Sequence, residues 1–181
     1  SAVHAKGGKI FQQMMHTGRI GHQANLPAGA KIVAPSAVAA AGQIYTDSQG
    51  MQAHPVPHAL STEEVKSTVQ GYVTAARFAI AAGFNGVELH SANGYLIEQF
   101  IHPHSNRRTD EYGGSIENRL RFLVEVASAV AAAIGKDKVG VRLSPYGVFN
   151  DLPPYSEVEE TYTLAAKKLQ EVGILYIHIV D

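Results

Sequence analysis

At 181 residues, 45% of them hydrophobic and 17% charged, the chain has the size and composition of one well-buried α/β domain rather than a disordered or coiled-coil segment. A net charge of −1 and a pI near 6.7 leave no electrostatic footprint for nucleic acid or an anionic membrane surface. There is no Cys, hence no disulfide framework or thiolate metal site, and no signal peptide or bilayer-length apolar run, so a cytoplasmic protein is expected.

The first predicted strand is "KIFQQMM" (9–15), followed by a long connection over 17–60. Ser61-Thr-Glu-Glu64 has the form of a capping box, and it opens a helix carrying Val65, Val69, Tyr72, Ala76 and Ile80 at helical spacing up to Gly83. A second strand, "GVELH" (86–90), leads through 91–114 to Ser115, which can cap a helix over "IENRLRFLVEVASAVAAAI" ending at Gly135. The third strand is "KVGVRLS" (138–144). After a connection over 145–155, Ser156-Glu-Val-Glu159 forms a second capping-box pattern, and its helix ends near Gly173. The fourth strand is "ILYIHIV" (174–180).

These runs are continuous rather than alternating, which predicts strands covered on both faces. Residues 75–90 and 165–180 align without gaps, Gly83 on Gly173 and Val87 on Ile177. Repeated strand–helix–strand units with short returns call for parallel strands, in a (β/α) barrel or in a doubly wound sheet. The long connections all follow strands, where both architectures place their sites. No G-x-G-x-x-G follows any strand, which favours the barrel. The expected class is therefore α/β, a (β/α)8 TIM barrel. Residues 1–181 would supply about four central units of its single domain, with the N-terminal and C-terminal portions missing. The chain opens without Met and stops directly after an apolar run, which fits a piece of something larger.

Polar residues interrupt the strands. Glu88, Arg142 and His178 each sit between apolar neighbours, so by alternation each lone polar residue points opposite to those neighbours and, in a barrel, towards the axis; Gln12 and Gln13 likewise interrupt the first strand. Buried charge needs partners. For Glu88 and His178 an internal hydrogen-bonded network and a ligand contact are both open. Arg142, one step from its strand's end, suits an anionic or electron-accepting ring system.

At the end of the second strand, "HSANGYL" presents His90, Asn93 and Tyr95 within six residues. An imidazole and an amide can converge two donors on one oxygen, and a phenol beyond them can deliver a proton. That equipment suits a carbonyl polarised while the neighbouring carbon is protonated. A satisfied rim His and a turn Asn are the plain structural alternative, and the spacing alone does not choose.

With "FQQMMHTGR" (11–19), "VAPSAV" (33–38), "HALSTEEV" (58–65), "GVELHSANGYLIEQF" (86–100), "NRRTDEYGGSIENR" (106–119) and "VRLSPYG" (141–147), the chain resembles the Old Yellow Enzyme family over nearly its whole length. These are FMN-dependent ene-reductases on a TIM barrel. The resemblance implies that Gln13 binds the pyrimidine edge of FMN and that Arg142 sits by its N1/C2=O region. His90 and Asn93 would hold the substrate carbonyl oxygen, and Tyr95 would protonate the α-carbon. Hydride would pass from flavin N5 to the β-carbon of an electrophilic alkene, with NADPH or NADH as reductant. Arg107 and Arg108 would be scaffold charges tied to carboxylates. Met15 stands where many members carry Trp, which implies a roomier substrate pocket.

The family's phosphate-binding strands have no counterpart here, so the remaining barrel segments would be needed for a complete site, and the fragment alone is expected to be inactive. Alternatives are a catalytically incomplete fragment acting only by association with its missing part, and a metal-dependent barrel hydrolase using His16, His90 or His178. The latter lacks H-x-H or H-E-x-x-H spacing.

Overall fold

The computed structural model describes residues 1–180. In chain order its elements are α1 (Ala2–Ala5), β1 (Phe11–Met14), β2 (Val33–Ala34), β3 (Gln43–Thr46), β4 (Gly50–Ala53), β5 (His58–Ala59), α2 (Thr62–Ala81), β6 (Gly86–Ser91), α3 (Leu96–Ile101), α4 (Ile116–Ile134), β7 (Val139–Leu143), α5 (Val158–Val172) and β8 (Tyr176–Ile179).

The four expected strands form one parallel sheet in the order β1-β6-β7-β8. Alternation divides it into two unlike faces. One face carries Met14, Val87, Leu89, Val139, Val141 and Leu143, all buried in a single core with α2, α4 and α5. The other carries Gln13, Glu88, Arg142 and His178, which remain partly or fully exposed. The expectation of strands covered on both faces is thus corrected: among the described residues, helices cover one face only. One-sided cover on a parallel sheet is the geometry of a (β/α) barrel wall, half of a closed (β/α)8 ring, and not of a doubly wound sheet.

Close side-chain fit sets the inner surface near the strand starts. A Cβ on Gly86 would lie 2.5 Å from the Lys138 carbonyl oxygen and 2.5 Å from the Phe11 ring. One on Gly140 would lie 2.2 Å from the Tyr176 ring. The glycines leave room for these two aromatics, whose centroids are 6.0 Å apart.

The helices start where the capping patterns place them, with one exception. Ser61 and Glu64 make the reciprocal capping box of α2, and Ser115 caps α4. At α5 the second box does not form, and the N-cap is Glu157 without a side-chain cap bond. The Glu157 carboxylate instead pairs with Arg119 at 3.0 Å. The long first connection contains structure that periodicity does not announce. β2 pairs parallel with β5, and β3 with β4 forms a hairpin. Among the described residues no helix is long and apolar enough to cross a membrane.

Candidate active site

The residues singled out by sequence fall on or just beyond the strand ends of the open face. In register, Gln13 lies beside Glu88, and His90 beside Arg142 and then His178. Glu88 is the hub of the lower row. Its carboxylate accepts from Gln13 Nε2 (2.7 Å), Tyr176 Oη (3.0 Å) and His178 Nδ1 (3.2 Å). Burial works against that charge, but the three donors outweigh it and hold the Glu88 pKa below the usual carboxylate value. The internal-network reading therefore describes Glu88 and His178. Arg142 differs: its Nε is buried and, among the described residues, has no hydrogen-bond partner. An orphaned guanidinium nitrogen on an open face fits an external acceptor.

His90 is 4% exposed, and its Nδ1 accepts the Ala92 N–H at 3.3 Å. That bond assigns the proton of the neutral ring to Nε2, making Nε2 a donor. Desolvation and then the nearby Arg142 charge depress the His90 pKa, so the ring is neutral at pH 7. Tyr95 caps the start of α3, with its ring edge-on to His90 at 5.0 Å between centroids. Asn93 adopts a left-handed backbone (φ 56°), and its Oδ1 is buried without a partner among the described residues. For a non-Gly residue this strained turn needs outside support.

Support comes from groups that motif spacing does not single out. Asn93 N–H donates to Ser144 Oγ (2.8 Å), and Asn150 Nδ2 donates to the Asn93 carbonyl (2.6 Å). Glu98, 3% exposed, accepts from Gly94 N–H (2.5 Å), Ser144 Oγ (2.9 Å) and Tyr162 Oη (2.7 Å). Beyond it, the fully buried Arg19 donates from Nη2 to the carbonyls of Asn150 (3.1 Å) and Asp151 (2.7 Å), two consecutive left-handed residues. Gln99 joins Thr17 to Gly94 by donating to both carbonyls. A readable signal existed: Glu98 and Gln99 interrupt an otherwise apolar six-residue helix.

Met15 lies past the end of β1, 51% exposed; the hollow of about 320 Å³ that it borders is lined by Met14, His16 and the α2 residues Thr68 and Tyr72, and His90, Asn93 and Tyr95 do not line it. In the 106–119 segment, Arg108 pairs with Asp110 at 2.5 Å as expected. Arg107 does not meet a carboxylate, and its Nε donates to the His104 carbonyl at 3.2 Å. Among the described residues no three His, Cys, Asp or Glu side chains gather to hold a metal ion.

The family model described as NADH:flavin oxidoreductase / NADH oxidase matches residues 1–181. A probable flavin mononucleotide-dependent alkene reductase of Leishmania infantum is 56% identical over 154 residues, 83% of this chain and 42% of that protein. The solved Old Yellow Enzyme homologue from Zymomonas mobilis superposes with a TM-score of 0.90 at 42% identity, covering 98% of this chain and 49% of that one. Morphinone reductase in complex with tetrahydroNAD superposes with a TM-score of 0.92 at 43% identity, covering 98% of this chain and 50% of the other. The chain spans about half the length of the relatives it matches.

Proposed function

The chain belongs to the NADH:flavin oxidoreductase / NADH oxidase family, and from that premise we propose that it is part of an FMN-dependent ene-reductase acting on α,β-unsaturated carbonyl or nitro compounds. Residues 1–181 belong, on this reading, to a single (β/α)8 barrel domain, and the remaining segments complete both barrel and site.

The observation that carries the reading is an uncharged His90, its Nε2–H left as a donor, set edge-on to Tyr95, with Asn93 on the left-handed turn between them, where its Nδ2 group can act as a second donor. His90 and Asn93 hold the oxygen of the substrate and draw electron density from the conjugated alkene. A neutral imidazole does this without itself surrendering a proton at the oxygen. Tyr95 supplies the proton to the α-carbon. Gln13 and Arg142 hold the isoalloxazine edge, and the orphaned Arg142 Nε and the open inner face fit that acceptor. When bound, FMN supplies the hydride for the β-carbon. NADPH or NADH serves as reductant, a role supported by the tetrahydroNAD complex of morphinone reductase. Met15, exposed past the end of β1, would form a pliant wall of the substrate pocket in the complete barrel. We place the protein in the cytoplasm, where reduced nicotinamide nucleotides are maintained.

The test is anaerobic reduction of a cyclic enone by the complete FMN-loaded protein with NADPH or NADH. The alkene should be consumed and the carbonyl retained. Reduction of the carbonyl to an alcohol, or turnover that survives removal of the flavin, would sink the proposal.

A further inference from the structure

Asn93 sits in the left-handed region, which Asn tolerates better than most side chains but which still costs free energy without support. Its φ of 56° is left-handed, and the next residue, Gly94, continues at φ 77°. Left alone, such a turn would exchange with extended or helical backbone and carry the amide away from His90. Position 94 has no room for a side chain, because a Cβ there would lie 2.6 Å from Asn150 Cβ and 2.7 Å from the Phe149 carbonyl, so the turn packs closely on the 149–150 backbone.

The turn is held instead by a hydroxyl on a neighbouring strand's exit. Ser144 Oγ, in a residue 2% exposed, accepts the Asn93 N–H at 2.8 Å and donates its own proton to Glu98 Oε1 at 2.9 Å. The other oxygen of Glu98 takes the Gly94 N–H at 2.5 Å. The carboxylate thus grips two successive peptide N–H groups, one directly and one through Ser144. Tyr162 Oη supplies its remaining donor at 2.7 Å. Within the unit, the Ser144 hydroxyl bonds to the Asn93 N–H and to Glu98, so its own route to the site runs through Asn93.

We propose that Ser144, backed by Glu98, is a positioning residue for the reaction: it fixes the Asn93 amide against the substrate oxygen and thereby sets how tightly a carbonyl is held. The inference rests on the role given to Asn93 above. Glu98 does this work by geometry, since its two oxygens take three donors from fixed directions. Desolvation raises the Glu98 pKa from its ordinary value, with three donors opposing that shift, consistent with a group enclosed by its partners rather than by water.

The experiment titrates FMN-loaded holoenzyme with cyclohexanone, which offers the oxygen but no reducible alkene, and follows the flavin absorbance. Asn93→Ala and Ser144→Ala should each weaken binding by about tenfold, the value of one well-made hydrogen bond. Ser144→Thr, which keeps the hydroxyl, should restore most of that affinity. In the Asn93→Ala background, Ser144→Ala should add less than about twofold, because a residue acting through Asn93 has nothing left to position. Asn150→Gly removes the Asn93 carbonyl's donor at a left-handed position that Gly accepts, and should weaken binding in the same non-additive way should Ser144→Ala fail to fold. Normal cyclohexanone affinity in Ser144→Ala, or full additivity with Asn93→Ala, overturns the positioning role. Normal affinity in Asn93→Ala overturns instead the role of Asn93 itself.

Discussion

A histidine acquires its function from which nitrogen is occupied. The Ala92 N–H on His90 Nδ1 decides that question locally, within two residues, and leaves Nε2 to donate outward. The proposed division of labour with Tyr95 predicts that Tyr95→Phe keeps cyclohexanone affinity within about threefold while enone turnover falls on the order of 10²-fold or more, the usual worth of a general acid. Steady-state kinetics beside a binding titration would check it, and equal losses in both would assign Tyr95 to binding. His102 shows the same geometry in a structural role. Its Nδ1 accepts the His104 N–H and its Nε2 lies 2.8 Å from the Pro153 carbonyl, so protonation would place a hydrogen against a donor. Desolvation foremost lowers its pKa from 6.5 to about 4. The unfolded chain therefore binds the proton more readily than the folded one. Stability should fall as pH drops from about 6.5 to about 4, by at most about 3 kcal/mol from this group. Urea unfolding at several pH values should show a shallower dependence in His102→Gln than in the parent; identical slopes would refute the assignment.

At the scale of elements, two similar sequence patterns have different outcomes. Ser61 through Glu64 closes a capping box, whereas Ser156 through Glu159 does not, because Glu157 is drawn to Arg119 and the helix starts later. Ser61→Ala should cost about 1 kcal/mol, while Ser156→Ala should fall within about 0.5 kcal/mol of the parent in denaturant unfolding. A loss at Ser156 equal to that at Ser61 would contradict the difference. Inside the sheet, Gly86→Ala should destabilise by about 1–3 kcal/mol, since its Cβ must displace the Lys138 backbone or the Phe11 ring. A thermal midpoint unchanged by that substitution would count against the close fit. Strand positions and helix ends were legible because periodicity and caps are local. The hairpin of β3 and β4 was not, since its pairing is sheltered by neither long apolar runs nor a two-residue turn.

At the scale of the whole molecule, the half-ring of parallel strands has, among the described residues, two unpaired edges, at β1 and β8, and an uncovered polar face. Such edges pair with other chains, and such a face holds a flat ring only weakly. Residues 1–181 expressed alone should therefore emerge from gel filtration colourless and associated, whereas the complete polypeptide should emerge yellow. A fragment that retained flavin through the column would show that the missing segments are dispensable for binding.

The sequence by itself determined the α/β class, the four strands, their helices and the cluster of His90, Asn93 and Tyr95, because periodicity, capping and short spacing all act within a few residues. Only the tertiary structure decided that helices cover one face of the sheet. It alone also decided that Arg142 Nε stays orphaned while Glu88 is satisfied, and that Ser144, Glu98, Asn150 and Arg19 converge behind Asn93. Those groups come from three connections of the chain, after β1, β6 and β7. A buried donor is matched to an acceptor by proximity in space, for which no local spacing substitutes.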